Sequence, residues 1–227
     1  EPGPVPEKRQ NGARNAEEYA LVFNGQEGAE NPGWDGVERL SYPAEEGSQI
    51  RYARTMGKAW LKYGKSVDLT KGMSVLILCK YHGGVGSLVG KAREDADIFS
   101  LFILEGKLAT CNNWPRNPEP QSFEEVPRNS WFVAGMTSSK DDCTVFLNKK
   151  VLRKVEKSRV PAPNADGYFE IGVNSPGGDE YLDMTIGTVR IYNEKFSTMQ
   201  MQAEMGKLLD SVKRDALPPP KSSVSGK

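Results

Sequence analysis

Two stretches combine a tryptophan with polar side chains in the way that sugar-binding sites require. Trp34 is followed by Asp35 in the turn-rich sequence NPGWDG, and Trp114 is preceded by Asn112 and Asn113. A glycan site needs an aromatic face beside hydrogen-bonding amides or acids. These five residues are therefore candidate ligand-binding residues. The alternative is that each tryptophan caps the rim of the folded core.

Acidic residues and the single histidine offer little for catalysis. Asp95 and Asp97 lie on one face if the stretch is extended, and retaining glycosidases need two carboxylates about 5 Å apart. The surrounding sequence is nevertheless typical of a solvated loop that enters a strand at Ile98. His82 lies in a Tyr-His-Gly-Gly sequence with no nucleophile-elbow motif around any serine, and we interpret it as a surface turn residue. The sequence thus favours a protein that is not an enzyme.

The three cysteines disfavour a zinc site, but the sequence does not show whether any of them form a disulfide. Cys79, Cys111 and Cys143 leave at least one thiol outside any intramolecular disulfide. No two of them have CxxC spacing, and only one histidine accompanies them. This spacing disfavours a tetrahedral zinc site, and the state of the three thiols stays open.

Alternating apolar residues predict the strands that would position these candidates. Residues 168–192 alternate with period two on both sides of a Ser-Pro-Gly-Gly-Asp turn at 175–179. The apolar run 73–81 is rich in β-forming residues, which predicts a central strand. Hairpins are predicted at 98–111 and at 131–152.

The two ends of the chain have different patterns. Residues 1–18 are rich in Pro, Gly and charge and lack an apolar period, which predicts a flexible arm. The predicted domain covers residues 19–195. A capping box and apolar residues at helical spacing predict a helix over 196–215. Three consecutive prolines end it, and residues 216–227 are predicted to be a flexible tail.

Charge and hydropathy exclude two classes of partner. The 30 acidic and 30 basic residues balance, so no global field favours nucleic acid or an anionic membrane. No run of about 18 apolar residues is present, so we expect no membrane span. The start at Glu1 without a hydrophobic segment fits a mature form or an excised part of a longer protein.

Three stretches, in order, resemble the laminin G-like and concanavalin A-like lectin and glucanase family. The matching residues are Leu21, Phe23 and Gly25; Trp131, Val133, Ala134, Val145, Phe146, Asn148, Val151 and Leu152; and Ile171, Gly172, Ile186, Val189, Arg190, Ile191, Tyr192 and Asn193. Met184, Gly187 and Thr188 depart from the family's Gly, Asp and Glu, and Lys149 replaces its turn glycine. The resemblance implies an all-β, two-sheet antiparallel jelly-roll sandwich, and we expect Trp131 inside its core.

Calcium is the cofactor that this resemblance implies. It takes six to eight oxygen ligands, and the candidates are Asp179, Glu180 and Asp183, with Asp35. Ordinary turn acids are the favoured interpretation of these residues. The resemblance also implies a secreted or cell-surface protein, with an organelle or an intracellular assembly as the alternative.

The sequence therefore predicts a non-enzymatic recognition module that binds a glycan or a protein through loops at one rim. A structural accessory subunit is the first alternative. It would dock through its arms and its C-terminal helix, where Met199, Met201 and Met205 form an adaptable surface. A glycoside hydrolase using Asp95 and Asp97 is the least favoured alternative.

Overall fold

A computed structural model describes residues 18–22, 34–35, 52–57, 59–63, 68–93, 96–112, 120–155, 166–174 and 180–215. These ranges contain fifteen strands and one helix. In chain order they are β1 Glu18–Val22, β2 Trp34–Asp35, β3 Ala53–Arg54, β4 Leu61–Tyr63, β5 Met73–Gly84, β6 Gly86–Arg93, β7 Ala96–Leu104, β8 Lys107–Asn112, β9 Gln121–Glu125, β10 Trp131–Ser138, β11 Cys143–Leu147, β12 Lys150–Lys154, β13 Tyr168–Ile171, β14 Val173–Asn174, β15 Glu180–Tyr192 and α1 Thr198–Asp215.

The strands form two antiparallel sheets that enclose the main hydrophobic core. The sheet that carries the helix, called the helix-side sheet, has the order β1-β15-β5-β10-β11-β12, with β3 and β14 also paired to β15. The opposite sheet has the order β2-β4-β13-β6-β7-β8-β9. The predicted all-β, two-sheet jelly-roll sandwich with a C-terminal helix is confirmed. The predicted arm, apart from Glu18, and the predicted tail lie outside the described residues.

The apolar run at 73–81 forms the central strand β5, which lies between β15 and β10. Its side chains alternate between two hydrophobic clusters. Val75 and Ile77 face the core between the sheets, whereas Leu76 and Leu78 face the cluster beneath α1. Because both faces of this strand are covered, its sequence is continuously apolar.

The predicted strand at 168–173 is divided between the two sheets. β13 ends at Ile171 and belongs to the opposite sheet, whereas β14 pairs with β15. Gly172 separates them with a φ of 87°, a left-handed conformation that glycine adopts at no steric cost. The glycine therefore marks a crossing between the layers.

Two tight hairpin turns contain non-glycine residues with positive φ values. Glu105 and Gly106 have φ values of 52° and 77°, and Asn148 and Lys149 have values of 46° and 71°. Two positive φ values are typical of the type I′ hairpin turn. Asn148 Oδ1 accepts a hydrogen bond of 2.9 Å from the backbone N–H of Val133. This bond supports the turn that has lysine in place of the usual glycine, and the predicted hairpin at 131–152 becomes the meander β10-β11-β12.

The helix begins with the predicted capping box and buries one face on the helix-side sheet. The Ser197 N–H donates to Gln200 Oε1 at 2.7 Å, and the Gln200 N–H donates to Ser197 Oγ at 3.3 Å. Its buried apolar residues are Met201, Met205, Leu208 and Val212. Two of the three methionines proposed as a partner surface are thus occupied by the protein's own sheet, and only Met199 is exposed. Within the described residues, no helix has the length and apolarity needed to cross a membrane.

Trp131 lies outside the core between the sheets, contrary to the prediction. Phe132 faces that core, so its neighbour Trp131 faces outward and packs half-buried beside the helix cluster. Its ring centroid lies 4.7 Å from that of Tyr52. A β-carbon added to Gly187 would stand 3.2 Å from the Trp131 ring, so this glycine leaves room for the indole.

The three cysteines are free thiols and are buried. Burial raises the pKa of the Cys79 thiol, and burial with the nearby charge of Asp142 raises that of Cys143 to about 12. Because the thiolate is the reactive form, Cys79 and Cys143 are structural core residues at neutral pH.

Candidate functional site

The opposite sheet places the predicted sugar-binding residues far apart. Trp34 and Asp35 form its edge strand β2, where they lie opposite Tyr63 and Lys62. Asn112 ends β8 near the other edge, opposite Phe99. Asn113 and Trp114 lie outside the described residues.

Cross-strand pairing connects these two places in continuous rows. The first row is Trp34, Tyr63, Phe169, Lys91, Phe99 and Asn112. The second row is Asp35, Lys62, Glu170, Gly90, Ser100 and Cys111. Five spacings between neighbouring strands separate the ends of each row by about 24 Å. A single sugar ring therefore does not span either row.

The second row lies on the outer face of the sandwich and is called the outer row below. Tyr63, Phe169 and Phe99 of the first row belong to the core between the sheets. Successive side chains of a strand point to opposite faces. Lys62, Glu170 and Ser100 therefore face away from the core.

The outer row has charged and hydroxyl groups, and the aromatic ring of Tyr168 lies beside it. The Lys62 ammonium lies 3.8 Å from the centroid of the Tyr168 ring, and both residues are half-buried. Glu170 has no exposed surface. A β-carbon added to Gly90 would stand 3.3 Å from the Glu170 Cγ and Oε1 atoms, so this glycine makes room for the carboxylate. Close to it, the hydroxyls of Ser87 and Ser100 form a hydrogen bond of 2.6 Å.

Two of the predicted calcium ligands, Asp183 and Glu180, are hydrogen-bonded to protein groups. Asp183 accepts two hydrogen bonds of 2.9 Å from Arg54, one from Nε and one from Nη2. The Glu180 carboxylate accepts a hydrogen bond from the Asn174 side chain. Asp179 lies outside the described residues. In the part of the chain that the structure describes, no group of three His, Cys, Asp or Glu side chains is placed to hold a metal ion.

The Arg54 hydrogen bond lowers the pKa of Asp183, assisted by the charges of Arg54 and His82 and opposed by burial. A carboxylate with a depressed pKa stabilises the fold above its unfolded pKa, near 3.9, and this stability is lost as pH falls through the folded pKa. Arg54→Gln should therefore lower the free energy of unfolding at pH 7 and have little effect near pH 2. The pair is partly exposed, so we expect a loss below about 1 kcal/mol.

Urea denaturation of both proteins at pH 7 and at pH 2 measures this difference. Lys150→Gln, which breaks the more exposed Lys150–Glu124 pair, is the control and should change stability less at pH 7. An equal loss for Arg54→Gln at both pH values would show that the guanidinium acts through packing rather than through Asp183.

The backbones of His82 and Asp97, two of the residues weighed for catalysis, lie in different sheets. His82 lies within β5 rather than in a turn, because β15 continues to pair with that strand as far as Gly84. The backbone of Asp97 lies in β7, opposite Ala92, and Asp95 lies outside the described residues.

Sequence patterns missed Lys62, Tyr168 and Glu170. The signal was one charged residue in each of two otherwise apolar strands, Lys62 in β4 and Glu170 in β13. Only the pairing of these strands brings the two residues together.

No protein-family model and no curated protein matches this chain. Three solved structures of other proteins share its fold. Domain 4 of AbnA, a GH43 extracellular arabinanase from Geobacillus stearothermophilus, in complex with arabinotriose, is similar over 73% of this chain and 81% of its own, with 15% identity and a TM-score of 0.56. Trypanosoma rangeli sialidase in complex with the inhibitor DANA is similar over 74% of this chain and 28% of its own, with 11% identity and a TM-score of 0.57. The binding domain of botulinum neurotoxin DC in complex with SialylT is similar over 85% of this chain and 46% of its own, with 10% identity and a TM-score of 0.55.

This chain thus spans less than half of the sialidase and of the toxin domain. At identities this low the likeness establishes the β-sandwich fold alone.

Proposed function

We propose that this chain is a non-enzymatic recognition module that binds a glycan on the outer face of the opposite sheet, at the Asp35 end of the outer row. The observation that carries the proposal is the pair formed by the Lys62 ammonium and the Tyr168 ring, 3.8 Å apart and half-buried. Glu170 lies beside Lys62 in the same row. This face is the one on which α1 does not pack.

The chemistry of the pair suits a sugar. An ammonium offers three hydrogen-bond donors to hydroxyl and ring oxygens, and an aromatic ring offers an apolar surface with a polar edge. The arabinanase domain binds arabinotriose and the toxin domain binds SialylT. These ligands, together with the laminin G-like and concanavalin A-like resemblance, support a glycan as the ligand of this chain.

Burial of Glu170 supports binding without hydrolysis. A general acid must come within hydrogen-bond reach of the glycosidic oxygen that it protonates. Glu170 has no exposed surface, so its carboxylate does not reach a bound substrate. We therefore propose recognition as the whole activity of this face.

Glycan-array screening of the full chain, followed by calorimetry with the best ligand, tests the proposal. Lys62→Ala and Tyr168→Ala should each weaken binding by about tenfold or more, because each removes a central contact. Tyr168→Phe, which keeps the ring, should retain most of the affinity. Lys71→Ala is the matched control, because Lys71 is exposed in a turn outside the outer row.

Three results would overturn this proposal. They are the absence of any glycan ligand, equal affinities for Lys62→Ala and Lys71→Ala, and release of reducing sugar by the wild-type chain. We also expect EDTA to leave the affinity unchanged, since Asp183 and Glu180 are bound by protein groups. Calcium-dependent binding would instead favour the predicted calcium ligands Asp179, Glu180 and Asp183 as the site.

A further inference from the structure

We propose that the outer face of the helix-side sheet carries a second binding site, which takes an oxyanion: a carboxylate, sulfate or phosphate group. Arg128, Asn129 and His82 form it. The site lies on the other sheet from Lys62 and Tyr168, and it does not depend on the proposed glycan site.

His82 is the residue that fixes the other two. Its carbonyl oxygen accepts a hydrogen bond of 3.0 Å from Arg128 Nε, and its Nδ1 lies 2.8 Å from Asn129 Oδ1. An amide oxygen only accepts, so Nδ1 carries the proton. The other ring nitrogen, Nε2, lies 2.8 Å from the Thr185 hydroxyl oxygen. Both neighbours are thus attached to one ordered residue of β5.

The backbone holds the 128–129 segment against the same strand. The Asn129 N–H donates to the Tyr81 carbonyl oxygen at 2.8 Å, and Tyr81 and Arg128 form a parallel bridge. Asn129 has a φ of 57°, a left-handed conformation that asparagine tolerates better than most residues. The donors of this segment are therefore positioned before any ligand arrives.

The Arg128 guanidinium retains its most useful donors. Its central carbon lies 5.9 Å from the Tyr81 ring centroid, and Nη2 would stand 3.3 Å from a β-carbon on Gly83. The group is therefore placed over that glycine. Within the described ranges no carboxylate forms an ion pair with Arg128. Both oxygens of Asp183, which pairs with Gly83 in the sheet, are bound by Arg54.

Asn129 adds donors beside this cation. Because Oδ1 is turned toward His82, the amide NH2 points away from the ring, and both Arg128 and Asn129 are exposed. The site thus offers the two terminal NH2 groups of Arg128 and one amide NH2. A fork of donors with a positive charge is the arrangement that recognises carboxylate, sulfate and phosphate oxygens.

Calorimetric titrations of the full chain with sulfate, phosphate and glucuronate test the site, with sodium chloride holding ionic strength constant. We expect saturable binding of at least one of these anions. Binding of sulfate or phosphate alone would identify an inorganic or esterified tetrahedral anion as the ligand, and binding of glucuronate would identify an acidic sugar. An absence of saturable binding by all three would overturn the proposal.

Three variants separate this site from general electrostatics. Arg128→Gln should weaken binding by about tenfold or more, because a charge-assisted bidentate contact is lost. Asn129→Gly keeps the left-handed backbone and removes the amide, so it should weaken binding severalfold. Gly83→Ala keeps every charge and places a methyl group 3.3 Å from Arg128 Nη2, so it should shift the guanidinium slightly and weaken binding less. The control Lys140→Gln removes an exposed positive charge from the β10–β11 turn and should leave the affinity unchanged.

Equal effects of Lys140→Gln and Arg128→Gln would show diffuse attraction and end the proposal. Unaltered affinity in Gly83→Ala and Asn129→Gly together would also end it. Lys62→Ala and Tyr168→Ala should leave anion binding intact, so the two binding proposals can fail separately.

Discussion

Met205→Ala is expected to lower the free energy of unfolding by about 2–5 kcal/mol, whereas Met199→Ala should change it by less than about 0.5 kcal/mol. Both residues lie on α1 and lose the same atoms. Met205 has no exposed surface and packs in the cluster beneath the helix, whereas Met199 is 80% exposed. A β-carbon on Gly135 would stand 3.1 Å from the Met205 methyl group, so this side chain contacts the backbone of β10 directly. A sheet backbone cannot collapse into the cavity that the truncation leaves.

Urea denaturation monitored by far-ultraviolet circular dichroism measures both variants. The comparison also shows whether the methionines of α1 stabilise the fold or bind a partner. If Met205→Ala left stability unchanged and abolished association with a partner, the helix would be a docking surface, as the accessory-subunit hypothesis requires. The expected result would mean that the buried methionines stabilise the folded protein.

Alternation of apolar residues predicted the strands, and the family resemblance implied that they stack as a two-sheet sandwich. Period-two patterns report burial of one face, and the continuous apolar run in β5 reports burial of both. The capping box at Ser197 likewise depends on residues three apart, so it was visible in the sequence. Each of these features depends on residues that are close together in the sequence, so the spacing of those residues was enough to predict it.

The candidate sites were not predictable, because they depend on strand pairing. Lys62 and Glu170 lie 108 positions apart in sequence and opposite each other in the sheet. Trp131 was misplaced for a related reason. Alternation indicates which residues share a face, but it does not indicate which face is covered by the other sheet and which by a helix. Without that assignment Trp131 and Phe132 are equally good core residues.

His82 shows a third limit. Two glycines after it indicate a turn, yet pairing with β15 extends β5 through Gly84. Gly84 instead allows the backbones of β5 and β15 to approach closely at Tyr181. The same feature leads to the largest backbone effect that we expect in this protein.

Gly84→Ala should destabilise the fold by about 3–5 kcal/mol, through left-handed strain and steric overlap together. Gly84 has a φ of 86°, and an added β-carbon would stand 2.2 Å from the Tyr181 carbonyl oxygen. That atom belongs to the backbone of β15, so a side-chain rotation cannot relieve the overlap. β5 and β15 would have to separate near Tyr181.

Gly106→Ala is the matched control, because Gly106 has a φ of 77° and no atom within 4 Å of the added carbon. It carries the backbone strain without the overlap, so we expect a loss of about 1–2 kcal/mol. Thermal denaturation compares the two, and each kcal/mol should lower the Tm by roughly 2–4 °C in a chain of this size. Equal losses would mean that β15 yields at Tyr181 without cost. In that case the start of β15 is loosely packed against β5, and the positions of Asp183 and Thr185 beside His82 are not fixed by the sheet.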